Sequence, residues 1–422
     1  NMRFDENGSR NLSVAELSAN ASLVAMRDKL RKDHPNLMAQ PFRLVRDVID
    51  STDLYTQLAL MPKGAVLHLH WDSVLPPSWM IQNATYRDNC YIYWDQSVIK
   101  NSSAPMFGSF RFFRTDPGGG WRSVAELRQE ASSQAGGIAA FDELLVSIVD
   151  VLRAERSFNA TIDDWARFQT FFELASGLIF YKPVLYDYYH TVLTDAATTH
   201  QLSLVEIRAM DQPMYDLTAQ YTTEDTLEML RNISDAVSLE YPEFFGIRAI
   251  VCDNRGISDI KPTLAKVLGM LHSGLSDMVI GYDLVGQEDL GHTLKYFLPE
   301  LLGARASNIS LYLHAGETNW AGEDTTGDNL VDAALLARRI GHGLGLSKLP
   351  SVLPTLLQRN VAVEVCPISN QALQFVSDFR DHPATTLIAA GVPIALSPDD
   401  PALLGYGRDW ITYDWFMAFL SW

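Results

Sequence analysis

Four short segments carry imidazoles and carboxylates at spacings suited to hydrolysis. They are Leu67-His68-Leu69-His70, His314-Ala-Gly-Glu317, Gly341-His342-Gly343 and Ser397-Pro-Asp399-Asp400-Pro401. Alternate residues of an extended strand share a face, so His68 and His70 fall one pleat apart on the same side. Imidazoles with one or two carboxylates and no paired thiolates suit Zn2+ with a position left open for water. The competing reading is a polar cluster that satisfies buried groups without a metal. A single zinc lowers the pKa of its water to about 7, which supplies hydroxide at neutral pH. Glu317, three residues beyond a candidate ligand, is placed to shuttle a proton. His342 is placed to orient the hydroxide or to stabilise charge on the attacked centre. Together these parts imply hydrolytic attack on a carbon bearing an amine or alkoxide leaving group.

The elements that must position these residues read as a repeated pattern. Eight short apolar runs, Gly64–His70, Leu202–Met210, Phe245–Asp253, Asp277–Val285, Ile309–Gly316, Arg339–Leu346, Val361–Ser369 and Gly391–Asp399, alternate with amphipathic stretches such as Pro262–His272, Asp328–Arg339 and Leu349–Gln358. Near-continuous apolar strands between helices indicate a parallel sheet buried on both faces. Eight repeats predict an α/β fold of the (β/α)8 barrel type, with an open doubly wound sheet as the alternative. Four of the ten histidines and three carboxylates then gather at the carboxyl ends of four strands, where barrel active sites are built. The fourth strand, ending Gly281-Tyr-Asp-Leu-Val-Gly286, has no lysine that could be carbamylated to bridge two metals, which favours one.

About 130 residues separate His70 from Leu202, far more than one crossover helix needs, and a structureless loop of that length is improbable. The expected organisation is an N-terminal helical extension over 1–60, a barrel over 61–70 and 165–422, and a small inserted domain over 71–164. Ser13-Val-Ala-Glu16 is a capping-box pattern opening the first helix. Asp116-Pro-Gly-Gly-Gly120 lacks the Lys-Ser/Thr of a phosphate loop and reads as a turn.

The 422 residues carry 33 Lys+Arg against 51 Asp+Glu, a net charge of −18 that disfavours nucleic acid as a partner. No apolar run reaches the ~18 residues of a membrane span. Asn7, Asn11, Asn20, Asn83, Asn101, Asn159, Asn232 and Asn308 each open an Asn-x-Ser/Thr sequon, eight of the 16 asparagines, which points to the secretory pathway. Three cysteines, Cys90, Cys252 and Cys366, allow at most one internal disulfide.

Several longer motifs in the same order resemble the adenosine deaminase family, and in particular its secreted adenosine deaminase-related growth factor branch. They include Met61-Pro-Lys-Gly-Ala-Val-Leu-His-Leu-His70, Val205-Glu-Ile-Arg208, Gly281-Tyr-Asp-Leu-Val-Gly286 and His314-Ala-Gly-Glu-Thr-Asn-Trp320. Arg339-Ile-Gly-His-Gly343, Val363-Glu-Val-Cys-Pro-Ile-Ser-Asn370 and Ser397-Pro-Asp-Asp-Pro401 complete the set. The resemblance implies one zinc per chain held by His68, His70, His314 and Asp399. Glu317 would protonate purine N1 while hydroxide adds at C6 beside His342. It further implies contacts from Asp400 to N7, from the Gly286 N–H to N3, and from Trp165 to the pocket, although Trp165 reads equally well as a packing residue.

The implied activity is conversion of adenosine, and of 2′-deoxyadenosine, to the inosine product and ammonia. The implied setting is extracellular, with a lysosomal location as the other option. N-terminal helices used for homodimerisation and an insert that binds a cell-surface receptor or glycan also follow from the branch. The alternative function is a secreted growth-factor-like ligand that binds adenosine or a receptor without turnover. AMP is disfavoured as a substrate because a phosphate site wants Arg or Lys near the mouth.

Three departures stand out. The branch usually has Asp directly after His-x-His, whereas Trp71 precedes Asp72 here, a spacing similar to that of the intracellular branch, whose Asp binds ribose. Cys90 has no partner cysteine in the insert, so either the insert is looser or Cys90 is a free thiol. Tyr413–Trp422 reads as the start of a helix beyond which the family continues, so the chain is expected to be a fragment. The other six histidines, His34, His190, His200, His272, His292 and His382, read as structural or exposed.

Overall fold

The structure, a computed structural model, describes residues 12–96, 105–153 and 161–422. Among them eleven strands form: β1 (Gly64–Val66), β2 (Cys90–Tyr93), β3 (Phe110–Phe112), β4 (Trp121–Ser123), β5 (Leu202–Met210), β6 (Ile247–Asn254), β7 (Val279–Val285), β8 (Tyr312–Ala315), β9 (Arg339–His342), β10 (Ala362–Val365) and β11 (Ile394–Leu396). Two parallel arcs, β1-β5-β6-β7 and β8-β9-β10-β11, make up the main sheet. One seam between them is joined at Tyr282 and Leu311, where the Tyr282 N–H donates to Ser310 O at 2.9 Å. The other is joined at Leu69 and Asp399, where the His70 N–H donates to Asp399 O at 3.0 Å. Closed at both seams, the eight parallel strands form the expected barrel rather than an open sheet. Their apolar runs are buried on both faces: in β6 only Arg248 and Asn254 are other than buried.

Several expected strands end sooner than their apolar runs do. β9 stops at His342 because His342 and Gly343 take left-handed backbone, φ +61° and +57°. β10 stops at Val365 because Pro367 opens the helix Pro367–Ala372. β11 ends at Leu396, ahead of Asp399 at φ +64°. The helices expected between them occupy Lys261–Leu271, Asp328–Leu336 and Leu353–Arg359.

Two further layers attach to the barrel. Helix Val14–Asp33 opens on the expected capping box, with the Glu16 N–H donating to Ser13 Oγ at 3.2 Å and the Ser13 N–H to Glu16 Oε2 at 2.7 Å. The N-terminal helices pack Leu37, Phe42, Leu54 and Leu58 against Phe416, Met417 and Leu420 of helix Thr412–Ser421, which forms a second, smaller core.

Between β1 and β5 lies an antiparallel sheet of order β3-β2-β4, flanked by helices Pro77–Asn83, Val124–Ala131 and Gly137–Val149. It is continuous with the barrel core; Phe112 stacks on Tyr181 with centroids 3.9 Å apart. Helix Thr161–Ile179 runs across position 164, so no break in secondary structure separates insert from barrel there. Asp116 Oδ1 accepts the Gly118 N–H at 2.8 Å, the turn expected of that glycine run. Cys90, Cys252 and Cys366 are all free and buried, and burial pushes the Cys90 thiol above its ordinary pKa. No helix among the described residues is long and apolar enough to cross a membrane. Of the sequons, Asn7, Asn11, Asn101 and Asn159 lie outside the described residues, while Asn20, Asn83, Asn232 and Asn308 are exposed.

Candidate active site

Charged residues inside apolar strands form the floor of the site. Glu206 and Arg208 of β5, Asp283 of β7, Arg339 of β9 and Glu364 of β10 meet within the barrel. Arg208 Nε lies 3.2 Å from Asp283 Oδ2, and Arg208 Nη2 pairs with Glu364. Arg339 Nε bonds Glu364 Oε1 at 2.6 Å, and Arg339 Nη2 pairs with Glu206. Burial alone would raise the Glu364 carboxyl, but Arg208, His68 and Arg339 hold it well below the ordinary range. Asp283 is likewise held low against its burial by His314 and Arg208.

This floor aims the histidines above it. His68 Nδ1 sits 2.8 Å from Glu364 Oε2, and His314 Nδ1 sits 2.7 Å from Asp283 Oδ2. Each carboxylate keeps the proton on Nδ1 and turns the Nε2 lone pair into the site, the usual outer support of a metal-binding imidazole. Gly341 makes room for both rings: a Cβ there would stand 3.1 Å from His68 Cε1 and 3.2 Å from His314 Cγ.

The residues present fit a cation. His68, His314, His342 and Asp399 offer ligand atoms within 4.8 Å of one another, all four buried; His70 adjoins them in a second group with Asp399 and Asp400. His68 Nε2 is buried without a hydrogen-bond partner among the described residues. It lies 3.3 Å from Asp399 Oδ1, as does His70 Nε2. Burial would raise Asp399, but His342, His68 and His70 hold it ionised. Imidazole nitrogens converging on one buried carboxylate are what a shared cation satisfies, and a nitrogen-rich set with one oxygen suits zinc. Both His342 and Asp399 hold left-handed backbone, a local cost of order 1–3 kcal/mol each that tends to collect at functional sites.

Glu317 follows β8 on a loop fixed by Glu288, whose Oε2 accepts the Glu317 N–H at 3.0 Å. Burial, then Asp399, Glu288 and Asp400, push its carboxyl well above the ordinary range, which favours the acid form. Asp400 is raised in the same way, first by burial and then by Asp399, while Ser73 Oγ donates to its Oδ1 at 2.5 Å. The turn after His70 is pinned by two tyrosines. Tyr188 Oη accepts the N–H groups of Val74 and Leu75 at 2.7 and 2.9 Å, and Tyr189 Oη donates to Trp71 O at 2.7 Å. Trp71 is packed inward on Phe180, and Asp72 faces the site instead. Burial pushes the Asp72 carboxyl up to about 6.

A cavity of about 150 Å³ opens over these groups. His70, Asp72, Trp165, Gly286, His314, Glu317, His342, Asp399 and Asp400 line it, so nine of the ten residues singled out from the sequence share one space. The tenth, His68, lies fully buried beside them. Trp165, Phe168, Gln169 and Phe172 form one wall, at i, i+3, i+4 and i+7 of helix Thr161–Ile179. Phe168 completes a Trp-x-x-Phe pattern with Trp165, whereas Phe172, Gln169, Gln212 and Asn254 carry no mark in the sequence. The roles of Arg208, Asp283 and Glu364 are not among the sequence-based expectations either, although each stands as a charge within an apolar strand, which is itself a signal.

A family profile described as adenosine deaminase matches residues 143–409. Adenosine deaminase 2 of Pongo abelii is 32% identical over 423 residues, covering 97% of this chain and 80% of the relative. The chain belongs to the adenosine deaminase family. An adenosine deaminase of Aedes albopictus is 34% identical over 386 residues, covering 90% and 69%. The relatives named adenosine deaminase 2 agree with the likeness to the growth factor branch. In fold, the chain matches the N6-methyl-AMP deaminase of Arabidopsis thaliana with a TM-score of 0.57 at 18% identity, covering 87% and 88% of the two chains. This member of the family is thus a deaminase built on a barrel, with a His/Asp group able to hold a metal at the strand ends. His68 and His70 lie ahead of the profile match, and the closing seam at Asp399 brings them in.

Proposed function

We propose that this chain carries out zinc-dependent hydrolytic deamination of adenosine and 2′-deoxyadenosine, outside the cell. The observation that carries the reading is a buried carboxyl, Glu317, whose pKa burial raises, in the same cavity as the candidate ligands His70, His314 and Asp399. His68, His70, His314 and Asp399 would hold the zinc, which when bound makes hydroxide available at neutral pH. Glu317 would donate its proton to purine N1, which makes C6 electrophilic; as a water oxygen bonds to C6, one water proton restores the Glu317 acid, and the remaining C6–OH proton passes to the amine as the C6–N bond breaks, leaving the 6-oxo product and ammonia. The Asp400 carboxyl, raised by burial and by Asp399, would donate to N7, the Gly286 N–H to N3, and Asp72 would accept from ribose. Trp165 closes the wall behind the base.

Among the described residues the cavity is lined by no lysine or arginine, and by the acidic side chains Asp72, Glu317, Asp399 and Asp400, which suits a neutral nucleoside better than a phosphate. In steady-state assays, kcat/KM for adenosine and 2′-deoxyadenosine should exceed that for AMP by at least about 100-fold. Comparable turnover of AMP would contradict the neutral-substrate reading.

Exposure of Asn20, Asn83, Asn232 and Asn308 supports a glycosylated, secreted protein. Helix Val14–Asp33 buries only Leu30, and Val14 and Leu17 are exposed, which supports the homodimer reading of the N-terminal arm. Residues 71–164 are read as the insert that meets a receptor or glycan.

A further inference from the structure

Asn370, fully buried on helix Pro367–Ala372, bridges the two groups assigned to proton handling. Its Nδ2 lies 3.1 Å from Glu317 Oε1 and 3.1 Å from His342 Nδ1. Its Oδ1 lies 3.2 Å from His382 Nε2. Which end of the amide is which, and which imidazole nitrogens carry protons, follows from one contact: the backbone N–H of Ala384 points at His382 Nδ1, at 3.1 Å. A backbone amide only donates, so His382 Nδ1 is bare. Burial pushes His382 down to about 3, so the ring is neutral and its single proton sits on Nε2. That proton goes to Asn370 Oδ1. The opposite end is therefore the NH2 group, with one hydrogen for Glu317 Oε1 and one for His342 Nδ1.

We propose that Asn370, polarised by the Ala384 amide through His382, is a positioning residue of the deamination reaction. It holds His342 in its Nε2–H tautomer and leaves the acid proton of Glu317 on Oε2. His342 then donates toward the incoming oxygen and is not a metal ligand, although its ring lies within ligand distance of His68, His314 and Asp399. Its Nε2 is 3.7 Å from Asp399 Oδ2, and with Nδ1 accepting from the Asn370 NH2 the single ring proton falls on Nε2. The inference rests on the deamination reading above and assigns within it a polarity that no single residue carries.

The test is the 15N signature of the His342 ring in long-range 1H–15N spectra of 15N-histidine-labelled protein, recorded without substrate, metal-free and zinc-loaded. The ring is assigned by its loss in His342→Gln. Wild type should show Nε2–H with Nδ1 accepting. Asn370→Asp presents an acceptor to Nδ1 and should move the proton there, with kcat falling about 10–100-fold and KM changing less than about three-fold. His382→Leu should lose part of the lock, and His382→Gln, which still donates to Asn370 Oδ1, should restore it. A wild-type Nδ1–H signature overturns the proposal even if no variant folds. So does an Asn370→Asp enzyme that keeps the wild-type tautomer and kcat. A wild type that turns over no adenosine contradicts the deamination reading instead, and the spectrum still decides the relay.

Discussion

Glu317→Gln should abolish most turnover while leaving the fold and the metal in place. The glutamine keeps the volume of the side chain and an oxygen to accept from Asn370 Nδ2, 3.1 Å away in the native chain. What it loses is the acid proton. A positioned general acid contributes about 10²–10⁴-fold, so kcat should fall on the order of 10³-fold with KM little changed. Stability should hold or rise. The folded-state pKa of Glu317 is raised by burial and by Asp399, Glu288 and Asp400, so its ionisation opposes folding increasingly as pH climbs above the ordinary carboxylate range. A neutral glutamine removes that cost, and the thermal midpoint at pH 7 should not drop. Kinetics within tenfold of wild type would deny Glu317 its role, and loss of bound metal would recast it as a support of the cluster.

Arg208→Met should be the most damaging substitution away from the cavity surface. Arg208 is fully buried and neutralises Asp283 and Glu364, the carboxylates that aim His314 and His68. Removing one partner from a buried ionic set typically costs about 3–5 kcal/mol, because charges are left without compensation. The sign of the pH dependence is fixed by the same groups. Glu364 and Asp283 have depressed folded-state pKa values, so their contribution is present above the ordinary carboxylate pKa and is lost as pH falls through the folded-state values. In the variant those carboxyls protonate more readily, so the deficit relative to wild type should be greatest near neutral pH and shrink in acid. Denaturant unfolding at pH 7 and pH 4.5 reads this directly. Metal affinity should drop about 10–100-fold because both rings lose their orientation. A variant as stable as wild type at pH 7 would mean that the buried network does not support the site.

The legibility of this chain follows where its information lies. Strand-end motifs are local: an apolar run followed by His314-Ala-Gly-Glu317 or Ser397-Pro-Asp399-Asp400 announces both the strand and what it presents. Parallel topology then requires those ends to meet. Strand lengths were overread because the chain leaves the sheet at His342 and Asp399 through left-handed backbone, a conformation that apolar patterning does not report. Trp71-Asp72, which departs from the growth factor branch, is accounted for by packing: Trp71 fills space against Phe180 and passes the site-facing position to Asp72.

The supports were harder to read. Arg208, Asp283 and Glu364 sat inside the quoted motifs, but their partners lie across the barrel, 75 and 156 residues from Arg208, and no spacing encodes that. His382 was grouped with structural or exposed histidines, and only its contact with Asn370 connects it to the cavity. The aromatic wall on helix Thr161–Ile179 has the periodicity of any buried helix face, so Phe172 carries no functional signal in the sequence, and Phe168 enters only through its Trp-x-x-Phe spacing from Trp165.

The central claim, a single-zinc adenosine deaminase, is tested most directly by titrating zinc into chelated, metal-free protein while following adenosine absorbance and identifying the product by mass. Activity should be absent at the start, rise linearly, and level off at one zinc per chain, with inosine and ammonia formed in equal amounts. Turnover by the metal-free protein, a plateau at two equivalents, or no turnover of adenosine by the folded, zinc-loaded chain would contradict it.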